Sequence, residues 1–457
     1  MIEVASDQGL TPTASASAPV PVRWTFGTRV AFRFALCYFM LYALCCGNAT
    51  IWEIIPFAGG YIDHWLSWPF AHGGQWLAQH WFHIHGVGAK LHYTGSGDTA
   101  IAWIAVGVMI SVAVLATLLW TALDRDSLAY PKLLRWFRFT LRLALGYAMV
   151  NYGLAKLFPL QMAPPSLAVL NEPFGNISPM TLLWTMIGYN PVYEMICGAA
   201  EVLGGVLILF RRTALAGALL IAFLTANIVL FNFFFDVPVK LYAAHLLLMS
   251  LVVIVPDMRA LVGFFWRHRA TAPTVPWAPW GSRTIRLLHV TLELENLIVA
   301  VVLLLVAGFA SLKLGQGVLN QRVSMLHPAP LTGQWHVDSA TLNGQPKPFL
   351  TGDGLPMTDI FLEPSGRTML RDSATVLWRA GVHVDDKDHT LILGSAGLDH
   401  PIVYAIAQPD PAHLVLTPNG KDNKGDAVLT LTRVPLPTHY PLLDRGFHWV
   451  NEWGLER

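Results

Sequence analysis

Lys156 lies inside an apolar segment of the chain, where an unpaired ammonium group is unfavourable. The stretch from Gly146 to Gln161 is typical of the outer half of a membrane-spanning helix, and Pro159 ends that helix. A charged side chain at this depth costs on the order of a few kcal/mol unless it reaches water, pairs with an opposite charge or lines a wet cavity. The sequence therefore predicts an acidic partner or a polar cavity for Lys156.

Several ionisable side chains in other apolar segments are candidates for the same cavity. Tyr152 lies one helical turn before Lys156 and shares its helix face. Buried charges must pair or contact water, so we expect the candidates to converge near the outer ends of their helices. They are Tyr152, Lys156, Glu194, Glu201, Asp236, Lys240 and His245.

Two interpretations of this group of residues stay open. In the first, they line an outward-facing polar pocket that binds a ligand, with His245 as a proton carrier. In the second, the ion pairs only hold helices together, and His245 is a hydrogen-bonded histidine of the core. An intramembrane charge is a functional candidate by default, and Glu201 is the most informative because it is too deep to reach water easily.

Residues 48–98 are rich in histidine and tryptophan, and we predict an outer loop there. His80, His83 and His85 are close in sequence, and imidazole binds Zn, Cu and Fe. Neither an HExxH motif nor a 2-His-1-carboxylate spacing is present, and tryptophan favours the membrane–water interface without any metal. We therefore predict no metal site. Asp98 at the end of this loop is a plausible cap of the next helix.

The composition shows what kind of protein carries these groups. The chain is 54% hydrophobic and only 13% charged, whereas about a quarter of the residues of a soluble domain are charged. Several apolar runs approach the roughly 20 residues that cross a bilayer. The formal net charge of +1 gives no electrostatic basis for binding nucleic acid. The sequence predicts a polytopic α-helical membrane protein in direct contact with the lipid bilayer.

The apolar runs predict about seven transmembrane helices. Lysine and arginine cluster before the first of them and in every second connection, and the other connections nearly lack both residues. By the positive-inside rule, the N-terminus is cytoplasmic and the C-terminal region lies on the outer side. The predicted spans lie near residues 30–46, 101–123, 139–158, 191–210, 214–235, 241–255 and 292–312.

Changes in composition divide the chain into five parts. Residues 1–22 are rich in Ser, Thr, Ala and Pro, which predicts a disordered tail. Residues 23–134 hold two spans and the outer loop, and residues 135–266 hold four spans. Residues 267–325 hold a basic inner loop and the seventh span, and residues 326–457 form a β domain.

In the β domain, short runs of alternating apolar and polar residues recur about every ten residues, with turn signals between them. This pattern predicts an antiparallel barrel or sandwich. Gly333-Gln-Trp335 resembles the G-x-W signature of lipocalin-type barrels, and that resemblance implies a small β-barrel that holds an apolar ligand. In the alternative interpretation Trp335 only plugs one barrel end, beneath Arg445.

The middle region also resembles a known family. Four stretches carry the resemblance: Tyr152-Gly-Leu-Ala-Lys-Leu-Phe158, Glu201-Val-Leu-Gly-Gly205, Phe210-Arg-Arg-Thr213, and Asn232 with Asp-Val-Pro-Val-Lys240. They are similar to the DoxX-like integral membrane proteins over about residues 135–266. The resemblance implies a four-helix core in a bacterial inner membrane, with founding members tied to thiosulfate:quinone oxidoreduction. This chain departs from the family by three extra spans and the β domain.

Two hypotheses about function follow. In the first, an outward-facing pocket handles a quinone or another small lipophilic redox partner. Lys156 and Glu201 would position or protonate that molecule, and a membrane or periplasmic redox protein would be the partner. In the second, the chain is a non-enzymatic anchor or scaffold whose lipocalin-like periplasmic domain binds a ligand or a partner. We expect transport less, because the spans show no obvious inverted repeat.

Overall fold

The structure is a computed structural model, and it describes residues 23–46, 51–55, 57–86, 91, 95–270, 284–287, 290–293, a few residues between 299 and 319, and most of 331–444. Within the last region the gaps are 351–353, 364–366, 376, 386–388, 396–400 and 420–426. The predicted tail 1–22 and most of the predicted seventh span lie outside the described residues.

The N-terminal region is helical, and its segments follow the apolar runs of the sequence. The helices are α1 (Phe26–Cys45), α2 (Gly59–His80), α3 (Ala100–Leu123), α4 (Pro131–Leu157), α5 (Leu167–Leu170), α6 (Pro179–Gly188), α7 (Pro191–Leu209), α8 (Ala214–Phe234), α9 (Lys240–Ile254) and α10 (Met258–Phe265). Short 3-10 turns accompany them at Ile51–Ile54, Phe174–Asn176 and Val255–Asp257. A two-stranded hairpin follows, formed by β1 (Thr284–Leu287) and β2 (Val290–Glu293).

Five helices of the described region are long and apolar enough to cross a membrane. They are α1, α3, α7, α8 and the continuous segment Lys240–Phe265, and they coincide with five of the predicted spans. The third predicted span corresponds to α4, which has 27 residues but carries four Lys and Arg residues in its first half. The structure therefore shows a helical region with five helices that could cross a membrane, and the number of spans beyond these five is a proposal taken up below.

The structure corrects two predictions about the segment before α3. Residues 59–80, predicted as part of a loop, form the 22-residue helix α2; its four glycines and internal Pro69 conceal the helical pattern in the sequence. Asp98 does not cap α3, because the side chain of Thr99 accepts the amide of Ala102 there. Asp98 instead accepts the amides of Lys240 and Leu241 at 2.7 and 2.9 Å and caps α9.

One buried arginine of α1, Arg33, joins this helix to the end of α3 and the start of α4. Arg33 is 1% exposed, and its guanidinium donates to Thr121 at 2.9 Å and to the carbonyl of Asp124 at 2.7 Å. It also donates to the hydroxyl of Tyr130 at 3.0 Å. Hydrogen bonds from Ser127 and Tyr130 lower the pKa of the Asp124 carboxyl to about 2, so this carboxylate remains ionised beside the arginine.

Helices α4 and α7 approach so closely that their backbones touch. A methyl group added at Gly198 of α7 would lie 2.5 Å from the carbonyl oxygen of Gly153 in α4. One added at Gly205 would lie 3.0 Å from the carbonyl oxygen of Gly146. Both pairs are spaced seven residues apart along their helices, so they form one continuous contact, here called the glycine seam (Gly146, Gly153, Gly198 and Gly205). Small residues of this kind allow close packing of membrane helices.

The C-terminal domain is a closed, eight-stranded antiparallel β-barrel with a short additional strand. Apart from the short β4, which pairs only with β3, strands that follow one another in sequence are neighbours, and the last strand pairs with the first. The sheet is thus closed, which confirms the predicted barrel rather than a sandwich. The strands are β3 (Gly333–Leu342), β4 (Gln345–Pro346), β5 (Met357–Leu362), β6 (Arg367–Asp372), β7 (Leu377–Asp385), β8 (Thr390–Ser395), β9 (Ile402–Asp410), β10 (His413–Pro418) and β11 (Val428–Val434).

Trp335 closes the apolar interior of the barrel. It is fully buried, and its indole N–H donates to the carbonyl of Leu331 at 2.8 Å. The guanidinium of Arg433 lies 5.4 Å from the centre of the Trp335 ring and also donates to the Thr332 carbonyl. The cation over Trp335 is thus Arg433 of β11, whereas the predicted Arg445 lies outside the described residues.

The glycine seam generates a stability prediction. Gly198→Ala would force the backbones of α4 and α7 apart, and we expect a loss of about 1–3 kcal/mol, the usual cost of overpacking a close contact. The measurement is the thermal unfolding of the purified full chain. Gly107→Ala in α3 is the matched control, because nothing lies within 4 Å of the added methyl group; equal melting of both variants would contradict the close approach.

Candidate functional site

Lys156 pairs with Glu201 across the glycine seam. Its ammonium nitrogen lies 2.8 Å from Glu201 Oε2, and the two residues are 8% and 4% exposed. Lys156 lies in the last turn of α4 and Glu201 in the middle of α7. Because Gly153 and Gly198 bring the two helices into contact, the side chains meet without a gap between them. This is the ion pair that the sequence argument required.

Glu194 lies in the first turn of α7, two turns before Glu201. It is fully buried, its Oε1 accepts the amide of Met162 at 2.9 Å, and it is near enough to Lys156 for a Coulombic attraction. Its Oε2 has no hydrogen-bond partner within the described part of the chain, and neither has Oε1 of Gln161. A buried polar oxygen without a partner is unfavourable, so this end of the site has the capacity for one more donor.

Tyr152 provides the aromatic side of the site. The ammonium of Lys156 lies 5.9 Å from the centre of its ring, and the ring of Tyr242 in α9 lies 5.6 Å away. Tyr152 is 37% exposed although it belongs to an apolar segment. Lys156 therefore has a carboxylate on one side and a partly exposed aromatic ring on the other.

Asp236 and Lys240 form a second, separate group at the turn between α8 and α9. The ammonium of Lys240 lies 2.8 Å from Asp236 and 3.9 Å from Asp98. The side chain of Asp236 is 83% exposed, and its backbone has a positive φ of 50°, which suits the tight turn. An exposed i,i+4 pair of this kind contributes little to stability, and its role here is to end α8 beside the cap of α9.

His245 belongs to a third group, between α1 and α9. Its Nε2 is 2.6 Å from the hydroxyl of Tyr38, and its Nδ1 is 2.6 Å from the carbonyl of Leu241. A carbonyl only accepts, so Nδ1 carries a proton, and a neutral ring then accepts the Tyr38 hydroxyl at Nε2. The imidazole also stacks on Tyr42 with ring centres 3.7 Å apart.

Among the described residues, the seven predicted side chains thus lie in three groups. The structure brings Tyr152, Lys156, Glu194 and Glu201 together, and it places Asp236 with Lys240 and His245 with Tyr38. Sequence reasoning missed the partners Asp98 and Tyr38, which belong to segments far away in the chain. It also missed Arg142, which is buried in α4 and donates to the carbonyls of Ile208 and Leu209 at the end of α7.

The three histidines considered for a metal site lie at the end of α2. His80 Nδ1 donates to the carbonyl of Trp76 at 2.9 Å, and the two rings stack. His83 has a positive φ of 50°, and His83 and His85 lie in the exposed segment that follows. Among the described residues no three His, Cys, Asp or Glu side chains form a group that could hold a metal ion.

The connection from α4 to α6 binds the outer wall of the barrel. Glu363 accepts the amides of Leu167 and Ala168, the first residues of α5, at 3.1 and 3.3 Å. Arg371 of β6 forms an ion pair with the buried Glu172 at 2.8 Å. Its guanidinium also lies 4.8 Å from the ring centre of Phe361. The barrel therefore contacts the same end of the helical region at which Lys156 and Glu194 lie.

Comparison with known proteins gives one informative match. The chain is 35% identical over 135 residues to the uncharacterized protein YwoB of Bacillus subtilis (strain 168), and the match covers 28% of this chain and 80% of that relative. The chain belongs to the YwoB family. No protein-family description and no solved structure matches it. Most of the chain lies outside the stretch shared with YwoB, so membership of the YwoB family describes one part of a larger architecture.

The pair between Lys156 and Glu201 can be tested by a double-mutant cycle. Lys156→Met leaves the Glu201 carboxylate buried without its partner, and we expect a loss of about 3–5 kcal/mol. Lys156→Met combined with Glu201→Leu removes both charges and should recover most of that loss. The measurement is thermal or denaturant unfolding of all four proteins. Additive losses in the double variant would mean that the two charges do not interact.

Proposed function

We propose that this protein is a membrane scaffold that holds a β-barrel in a fixed position on the outer face of the membrane in which it lies, where the barrel binds a partner. The single observation that carries the proposal is the buried polar contact between barrel and helical region. Glu172 and Glu363 are 8% and 7% exposed, and a buried carboxylate is stable only when it is hydrogen-bonded or paired. A barrel joined by a flexible linker would need neither group.

The wall of the barrel is built for this contact. Strand β5 is buried along almost its whole length, because Ile360 and Leu362 face the barrel interior while Asp359 and Phe361 face outward towards the docked connection. The carboxylate of the outward Asp359 accepts the side-chain amide of Gln334 at 3.0 Å and lies 3.8 Å from the guanidinium of Arg371. This buried outward face lies beside Arg371, which also pairs with Glu172 of the connection.

The interior of the barrel favours partner binding at its surface over capture of an apolar ligand. Side chains including Trp335, Leu393 and Leu416 fill it, and the remaining cavity measures about 10 Å³. That volume corresponds to roughly one water molecule, whereas ligand cavities usually measure about 300–1,000 Å³. The lipocalin-like G-x-W segment thus supports a barrel plugged at one end.

The ion pair at the docked surface generates the test. Arg371→Glu would place three carboxylates together, with Glu172 and Asp359, and we expect the barrel to detach from the connection. Hydrogen–deuterium exchange of residues 163–178 should then rise in the full chain. Lys347→Glu, an exposed charge reversal on the same barrel, is the matched control and should leave exchange unchanged. Unchanged exchange in Arg371→Glu would remove the basis of the scaffold proposal.

A second candidate function is redox-associated, as the resemblance to DoxX-like proteins suggests. Two observations favour it: the Glu194 oxygen without a partner and the partly exposed Tyr152 ring beside Lys156. A quinone ring could stack on Tyr152 while one of the quinone oxygens accepts a proton from the Lys156–Glu201 pair. In this proposal Lys156 and Glu201 hold the proton, and an electron-transfer protein of the membrane or periplasm is the partner.

Mass spectrometry of the protein purified from its native membrane separates the two functions. The redox candidate predicts that wild-type protein retains a quinone and that Lys156→Ala does not. Lys240→Ala, which removes the cation of a separate exposed group, is the control and should retain the quinone. The scaffold candidate predicts that no quinone is retained by any of the three proteins. Equal retention by wild type and Lys156→Ala would exclude the Lys156 site.

The arrangement in the membrane forms part of the proposal. We place the chain in a bacterial inner membrane with about seven spans, of which α4, α7, α8 and α9 form the DoxX-like core. The last predicted span, 292–312, lies mostly outside the described residues, and its first two residues belong to β2. The distribution of Lys and Arg puts the N-terminus in the cytoplasm. The end of α4 and the docked barrel then face the periplasm together.

A further inference from the structure

Helix α2 carries a regular stripe of imidazole and indole rings that the proposed function does not use. Histidine and tryptophan alternate at every fourth position, and all five side chains are exposed. Positions four apart are neighbours on a helix surface, so the five residues form a row that winds gradually around the helix, here called the His–Trp ladder. Its members are His64, Trp68, His72, Trp76 and His80.

The rings of the ladder support one another. The imidazole of His72 stacks on Trp68 with ring centres 4.2 Å apart, and that of His80 stacks on Trp76 at 4.9 Å. In both pairs Nδ1 donates to the carbonyl of the tryptophan, at 3.0 and 2.9 Å. Each imidazole has a second ring nitrogen, Nε2, so each exposed pair combines apolar ring faces with a polar atom.

The opposite face of α2 packs against the start of α3. Gly74 and Ala78 are buried there, and a methyl group at Gly74 would lie 3.1 Å from the carbonyl oxygen of Ile101 and 3.4 Å from Ala105. Ile101 and Ala105 belong to the first two turns of a membrane-spanning helix. This contact brings the C-terminal half of α2 to the outer end of α3, and the ladder lies on the side of α2 away from Gly74 and Ala78.

The composition of α2 suits the membrane–water interface. The helix is not apolar enough to count among the candidate spans, and its only Asp, Glu, Lys or Arg is Asp63. Trp65, Trp68 and Trp76 are 74%, 48% and 53% exposed, which is unfavourable in water. Indole rings are enriched at the boundary between lipid headgroups and acyl chains, because one end of the ring is apolar and the other polar.

We propose that α2 lies in the plane of the membrane surface and that the His–Trp ladder is its lipid-binding face, in contact with the phospholipids around α3. The stacked rings reach the upper part of the acyl chains, and the imidazole edges reach the headgroups. The surface continues the lipid-facing side of α3, where Trp103 is 49% exposed. The occupant is thus bilayer lipid.

The depth of the ladder can be measured by fluorescence in lipid nanodiscs. The full chain is placed in phosphatidylcholine brominated either near the glycerol end or near the methyl end of the acyl chain. The double variant Trp68→Phe/Trp76→Phe lacks both tryptophans of the ladder. The signal of the ladder is therefore the tryptophan emission of wild type minus that of this variant. We expect this difference signal to be largely lost when the bromines lie near the glycerol end of the acyl chain. It should be largely retained when they lie near the methyl end.

Each other outcome overturns the proposal. Loss with deep bromines would mean that α2 crosses the membrane. Quenching by aqueous acrylamide without quenching by bromine would mean that the ladder faces water. Protection from both quenchers would mean that protein covers it. Trp378→Phe on the barrel is the matched control, because its difference signal should not depend on bromine position, and circular dichroism of each variant verifies that it is folded.

Discussion

The organisation of this protein depends on the rule that a bilayer does not tolerate a single unpaired charge. Lys156 satisfies it through Glu201 at 2.8 Å, and Arg142 satisfies it by donating to the last carbonyls of α7. Both contacts join α4 to α7, one near each end of the seam. The glycines between them allow the two backbones to touch, so the polar pairs form without any cavity. Charge pairing and close packing therefore support the same helix pair.

The position of the barrel follows from this pair. The connection between α4 and α7 carries α5, and its amides and Glu172 bind the wall of the barrel. Strand β5 of that wall is buried along almost its whole length, and its Asp359 and Phe361 lie next to Arg371, the residue that pairs with Glu172. The same end of the helical region holds the unpaired oxygen of Glu194. A redox site and a docked barrel would thus share one surface. The redox-associated function would use the site at Lys156, and the scaffold function would use the barrel.

The sequence predicted the features that depend on composition and period. Apolar runs located five of the membrane helices, and alternation located the barrel, because both signals are local. It placed Lys156 and Glu201 in one group, since a lysine in hydrocarbon must pair with an opposite charge, reach water or line a wet cavity. It did not predict the partners Asp98 for α9 and Tyr38 for His245, because these depend on how distant helices pack. Helix α2 was missed because its glycines and Pro69 conceal a periodicity of four that is carried by rings rather than aliphatic residues.

The seven-residue spacing of the seam has a mechanical consequence. Glycine recurs at the same interval on both helices, so sliding one helix by a single turn would place a side chain such as Val202 where only a hydrogen atom fits. Neither helix can change register without separating from the other. Helices α4 and α7 would therefore move together, and because their connection binds the barrel, a tilt of the barrel would be passed to both helices at once.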